Sequence, residues 1–221
     1  MLGQYKAMLI ESPLFLSAFW RTLLVAVLTV LGQTAIAILN AYVFAKVPFR
    51  GREKVFLVLL LAMLMPFHVT VLPTYLMVRR LGLYDTQAAL IVPLLFAPVW
   101  TFLLRQAMKQ IPEVYLEVVR LESNRLTDGL CHAILPACRT GILTVVVLSF
   151  AEVWNMVEQP LIYLTDPSSY PLSLALSQMM GSDLNNLYAA SVVFVFPALI
   201  LWRMFSEEVV EGIGQLKVRD Y

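Results

Sequence analysis

Charge is what this sequence has least of: 14% of its 221 residues are Asp, Glu, Lys or Arg, whereas 60% are hydrophobic. A soluble domain of this size carries about 25% charged residues. With a mean hydropathy of +0.77, the chain reads as an integral membrane protein. The formal net charge of +1 gives no basis for binding nucleic acid or an acidic partner. Cysteine is nearly absent as well. Cys131 and Cys138, with the single neighbouring His132, lack the ligand number and spacing of a zinc site, so no metal is expected and two unpaired thiols in a reducing compartment are. No charged leader followed by a short cleavable apolar segment opens the chain. Nor is there a G-x-x-x-x-G-K-[ST] loop, since Gly212-Ile213-Gly214 lacks the remainder of one, and ATP phosphates have no cradle here. Within the apolar runs no nucleophile pairs with a base and no metal ligands recur at helical spacing, which argues against an intramembrane enzyme.

What remains is long apolar runs and the charges between them. Residues 22–45 carry no charge over 24 positions, enough to cross a hydrocarbon core of about 30 Å at 1.5 Å per residue. The preceding residues 1–17 read as a lead-in loop, with Pro13 expected to stop any early helix. Lys46, Arg50, Arg52 and Lys54 follow the first run within nine residues and mark the cytoplasmic face. Further spans are expected at 55–78, which contains Pro66, His68 and Pro73, at 86–104, at 140–164 and at 184–202. A polar loop at about 105–139 lies inside. This topology puts 12 of the 16 Lys and Arg residues on the inner face, with the C-terminus there too.

Polar side chains inside the apolar runs are candidates for a transport pathway. A broken, proline-bearing span is tolerated where protein or water satisfies the freed carbonyls, so 55–78 is one candidate pore wall. His68 could face the pathway or hydrogen-bond between helices. The segment 140–164 carries Glu152, Trp154, Asn155 and Glu158 and is the other candidate wall; the alternative is that both glutamates cap or pair near the outer interface.

The longest polar passage, residues 112–136, reads PEVYLEVVRLESNRLTDGLCHAILP. Pro112 suits a first helical position and Glu113 the positive end of the dipole. Val114, Val118 and Leu121 then share one helical face, and Glu113, Glu117 and Arg120 another. By periodicity alone this is an amphipathic helix at a membrane surface.

Its residues also resemble the EAA loop of importer-type ABC permeases, whose pattern is Glu-Ala-Ala, three residues, Gly, nine residues, then Ile-x-Leu-Pro. Here Glu117-Val118-Val119 is followed by Arg120-Leu121-Glu122, by Ser123 in the glycine position, by nine residues to His132, and by Ala133-Ile134-Leu135-Pro136. The spacing is kept, while Val-Val replaces Ala-Ala, Glu122 stands where Asp is usual and Ser123 where Gly is. Further matches to the sugar-type branch are Asn40-Ala41-Tyr42, Phe49-Arg50-Gly51-Arg52, Trp154-Asn155, Pro160-Leu161, Leu164-Thr165-Asp166-Pro167 and Tyr170-Pro171-Leu172. Members of that branch resemble the second permease of maltose-type importers and have six spans; five are expected here, the first being absent.

The resemblance implies an all-α polytopic permease of a bacterial cytoplasmic membrane. It also implies partners: ABC ATPase subunits that bind the ATP, a second homologous permease and an extracytoplasmic solute-binding protein. Glu117, Val118, Val119, Leu121, Glu122, Ser123 and Pro136 would couple to the ATPase. His68, Glu152, Trp154 and Asn155 remain pathway candidates on polarity and depth. The competing classes are a secondary transporter or channel, in which Glu152, Glu158 and His68 relay ions, and a truncated, inactive permease. No internal repeat of the kind common in secondary transporters is evident.

Overall fold

The computed structural model describes residues 13–122, 125–179 and 184–216. The described residues are all-α, with no strand among them. The main helices are α1 (Pro13–Lys46), α2 (Arg52–Met63), α3 (Phe67–Arg80), α4 (Pro98–Lys109), α5 (Val114–Glu122), α6 (Arg139–Trp154), α7 (Glu158–Tyr163), α8 (Leu172–Met179) and α9 (Leu184–Leu216).

Proline decides several boundaries. Residues 13–17, expected to belong to a lead-in loop, are helical, and the described part of α1 starts at Pro13; a first-turn N–H has no intrahelical acceptor, so a residue without one loses nothing there, and any helix ahead of Pro13 falls outside the described residues. Pro98 opens α4 in the same way. Pro66 separates α2 from α3: it is extended (φ −62°, ψ 145°), and the last turn of α2 tightens as Leu64 N–H donates to Leu61 O and Met65 N–H to Ala62 O, both at 3.2 Å. Pro73 lies within α3 without ending it. Hydroxyls occupy carbonyls beside it, Thr74 Oγ1 donating to Thr70 O at 2.7 Å and Thr70 Oγ1 to Phe67 O at 3.0 Å.

The expected unbroken stretch at 140–164 is divided. Helix α6 stops at Trp154, Val157 leaves the helical region (φ −127°, ψ −40°), and α7 restarts at Glu158. Pro160 cannot donate to Met156 O, which accepts the Ser173 hydroxyl instead. The last helix, expected to end near 202, runs on to Leu216 with a non-helical residue at Phe205 (φ −125°, ψ 16°). By length and composition Phe15–Lys46 and Leu187–Gly212 can each cross a membrane alone. The count reaches five when three bent pairs are each taken as one span: Arg52–Met63 with Phe67–Arg80, Ala88–Leu94 with Pro98–Lys109, and Leu126–Ala137 with Arg139–Trp154.

The chain divides into two compact units. The described residues of one fall within Met1–Val30, Pro66–Leu95 and Ser149–Met204, and those of the other within Leu31–Met65, Phe96–Leu148 and Phe205–Tyr221. The first is built round Trp154, which stacks on Phe150 and Phe194 with centroids at 5.3 and 5.5 Å and meets Phe19 edge-on at 5.9 Å. In it Thr22 Oγ1 accepts the N–H of Leu172 at 2.7 Å, fixing the start of α8 on α1. The second unit packs Trp100, Leu104 and Met108 of α4 with Ala37, Ala41 and Tyr42 of α1 and Leu116 of α5. Alanines on α1 let neighbouring helices approach closely.

Candidate coupling site

Helix α5 begins just after Pro112. Leu116 N–H donates to Glu113 O at 2.8 Å and Glu117 N–H to the same carbonyl at 3.0 Å. The helix turns two unlike faces outward and inward. Leu116 is 1% exposed and Val119 half-buried against the unit's core. Val114, Tyr115, Val118 and Leu121 are exposed, Leu121 at 88%. Glu117 is exposed beside them. The two valines of the Glu117-Val118-Val119 motif thus do different work, one packing inward and one presented to solvent. Ser123 and the side chain of Glu122 lie outside the described residues.

After α5 the chain passes through a π-helical stretch, Gly129–Ile134, to Pro136. Pro136 cannot donate to the carbonyl four residues back, and the wider register there leaves that bond out. A Cβ on Gly129 would stand 3.0 Å from Tyr42 Oη and 3.1 Å from Leu116 Cδ2, so glycine permits this stretch to rest on α1 and α5. Pro136 itself is exposed.

Two buried cations tie the loop to its supports. Lys46, the last residue of α1, is 8% exposed and donates through Nζ to Ile111 O at 2.6 Å and to Glu113 Oε1 at 3.2 Å. Arg105 of α4 is 3% exposed; its Nη2 lies 2.7 Å from both carboxylate oxygens of Glu53, and its Nε donates to Phe44 O at 3.1 Å. The guanidinium carbon also sits 3.7 Å from the Phe56 ring centroid. Both cations engage the carboxyl-terminal end of α1, Lys46 by belonging to it and Arg105 by bonding a carbonyl there, where the helix dipole favours positive charge. Sequence reading counted Lys46 and Arg105 toward the inner-face charge and missed their roles. Their partners stand 52 to 67 residues away in the chain, and only the tertiary fold brings them together.

The polar candidates in the apolar runs all belong to the other unit. His68 is exposed in the first turn of α3, its ring edge-on to Phe67 at 5.9 Å. Glu152 and Asn155 are exposed, and Asn155 Nδ2 donates to Ala151 O at 2.8 Å. Trp154, by contrast, is 1% exposed and its Nε1 donates to Phe194 O at 3.0 Å. The structure places it in the core of the unit, with its one polar group already bonded. Metal ligands do not cluster among the described residues.

Two connections of this unit bond each other. Asp85 N–H donates to Tyr163 O at 2.9 Å, and Asp85 Oδ1 accepts the N–H of Thr165 at 2.7 Å. Asp85 adopts φ 63°, a left-handed conformation that Asp tolerates better than most residues. The Thr165 N–H holds the Asp85 carboxyl below the usual carboxylate range, and the Ser168 hydroxyl and N–H do the same for Asp166.

No family model matches the chain. The arabinooligosaccharides transport system permease protein AraQ of Halalkalibacterium halodurans is 25% identical over 202 residues, spanning 90% of this chain and 71% of that protein. The sn-glycerol-3-phosphate transport system permease protein UgpE of Shigella flexneri serotype 5b is 24% identical over 204 residues, with 88% and 73% covered. Among solved structures, a chain of a bacterial ABC transporter involved in the import of the acidic polysaccharide alginate matches with a TM-score of 0.80 at 18% identity. It covers 92% of this chain and 78% of its own length, and establishes the fold. ABC importers of this kind work with an ATPase and a solute-binding protein, and their permeases cross the membrane several times. The fold, the EAA-spaced loop with its outward apolar face, and these relatives agree: the chain is a multi-pass membrane permease subunit of the importer-type ABC transporters, similar to the permeases of sugar-type systems.

Proposed function

We propose that this chain supplies one half of the pathway by which a sugar or sugar-like solute is imported, a second homologous permease supplying the other half. ATP is bound and hydrolysed on separate ATPase subunits, and helix α5 with the segment to Pro136 couples their closure to the spanning helices. The observation that carries this reading is the outward face of α5. Val114, Val118 and Leu121 are exposed beside Glu117, on a helix whose opposite side is fixed by Leu116. An apolar stripe flanked by a carboxylate suits a cleft that is greasy at its floor and basic at its rim.

Glu117, Val118 and Leu121 therefore make the contact, Val119 holds the helix from beneath, and Glu122, Ser123 and Pro136 join the coupling segment by the spacing of the sequence pattern. The C-terminus lies on the cytoplasmic side with this loop, as the distribution of Lys and Arg favours. On the opposite side a solute-loaded binding protein delivers its cargo. His68, Glu152 and Asn155 offer exposed polar groups to the pathway, whereas Trp154 is held in the core by Phe19, Phe150 and Phe194. Relatives named for arabinooligosaccharides and for sn-glycerol-3-phosphate favour a polyhydroxylated solute.

The test is ATP hydrolysis and solute uptake by the chain co-expressed with the ATPase, permease and binding protein encoded beside it, purified and reconstituted in vesicles. Hydrolysis that rises with loaded binding protein, and uptake that falls in Glu117→Arg at unchanged membrane abundance, is the expected result. Uptake that persists without any ATPase would overturn it in favour of an ion-driven carrier or channel.

A further inference from the structure

The face of α5 turned toward a partner is only half of a coupling device; the other half is what holds α5 to the membrane helices. Lys46 is the last residue of a helix that continues without a break from Pro13. Its ammonium bonds Ile111 O at 2.6 Å, two residues before the bond to Glu113 Oε1 at 3.2 Å and immediately ahead of the first turn of α5. The lysine side chain is 4% exposed, while that of Glu113 is 58% exposed. Holding an ammonium out of water is costly. An apolar residue would pack at this place without that cost, yet it could not grip the backbone at Ile111.

Apolar contacts slide, whereas a short charge-assisted bond to a main-chain carbonyl fixes a distance and a direction. We infer that Lys46 is the positioning residue that transmits displacement of α5 to helix α1. A push on the outward face of α5 moves the segment 111–113, and the Lys46 ammonium carries that motion into the end of a 34-residue helix. Arg105, bonded to Phe44 O and to Glu53, holds α2 and α4 to the same end of α1, so the stroke reaches three helices together. This rests on α5 being the ATPase contact.

Lys46→Met tests it in the reconstituted complex. Methionine has nearly the length of lysine and keeps the packing, and the carboxylate left behind at Glu113 faces water, so the fold should survive. The expected result is normal membrane abundance, normal retention of the ATPase and continued ATP hydrolysis, with solute imported per ATP hydrolysed reduced about tenfold or more. Glu113→Gln, which leaves the Ile111 bond in place, should reduce that ratio much less. An unchanged ratio in Lys46→Met, or loss of ATPase retention in it, overturns the inference. If Lys46→Met does not accumulate, Lys46→Leu, which likewise removes the donor to Ile111 O, is measured in the same way; failure of both to accumulate makes Lys46 a folding residue and also overturns it. Leu121→Asp run alongside separates the two readings: a complex that assembles and transports normally with Leu121→Asp refutes α5 as the ATPase contact, whatever Lys46→Met shows.

Discussion

Leu116 and Leu121 lie five residues apart on one short helix, and their alanine variants should fail in opposite assays. Leu116 is 1% exposed and sits in the core with Tyr42 and Leu104, so Leu116→Ala leaves a cavity and should cost about 2–5 kcal/mol of stability. Leu121 is 88% exposed, and its truncation should change the stability of the isolated chain by less than about 0.5 kcal/mol. Its worth lies in the complex. Burying the three carbons that alanine lacks is worth about 0.8 kcal/mol each, or about 2 kcal/mol in all, which is roughly 30-fold in affinity. The assay is titration of the purified ATPase onto the permease in nanodiscs, paired with thermal unfolding of the permease alone. Leu121→Ala should weaken binding with an unchanged unfolding curve, and Leu116→Ala should lower the curve. Wild-type affinity for Leu121→Ala would refute the docking face, and a lowered unfolding curve for it would refute the orientation of α5.

Two further predictions concern packing and pH. Gly212 lies against α6, where Thr144 Oγ1 bonds Glu208 O at 3.3 Å; a Cβ on Gly212 would come within 1.9 Å of that hydroxyl oxygen and 3.2 Å of Thr140 O, so Gly212→Ala should lower membrane abundance, and adding Thr144→Ala should recover part of it. Failure of the second substitution to help would refute that contact. In the connections that hold Asp85 and Asp166 the two carboxyls are held low, so the stability they contribute is present above the ordinary aspartate value of about 3.9 and is lost as pH falls through their lowered values. The protection factor of the Thr165 N–H, its exchange corrected for the intrinsic pH dependence, should therefore fall only in acid, and in Asp85→Asn, whose amide oxygen can still accept the bond without titrating, the Asp85 part of that acid response should vanish; a wild-type response in Asp85→Asn would refute the assignment.

Much of this protein is local and was therefore written in the order of its residues. Apolar runs long enough to cross a bilayer, the concentration of Lys and Arg near Lys46–Lys54, and the spacing from Glu117 to Pro136 all depend on near neighbours. Membrane character, an all-α fold and the permease family follow from them. Even the inward and outward sides of α5 were partly legible, because a period of 3.6 residues places Val114, Val118 and Leu121 together. Proline breaks the second apolar run at Pro66, as the sequence implies, whereas residues 13–17 are helix and not loop: the same missing N–H ends a helix from within and costs nothing in its first turn.

What the tertiary structure decided was which polar groups are held and by what. Trp154 has the composition of a pathway residue and the position of a core one, because Phe19, Phe150 and Phe194 surround it and Phe194 O takes its N–H. Lys46 and Arg105 look in the sequence like any other inner-face cations. Their partners Ile111, Glu113, Glu53 and Phe44 are brought to them by the folding of separate helices, and a buried charge is stable only where such partners converge. Hydropathy is a property of each residue and its neighbours along the chain, whereas the satisfaction of a buried charge is a property of distances between remote segments; the sequence therefore specified the helices, and the fold alone determined how the coupling helix is attached to them.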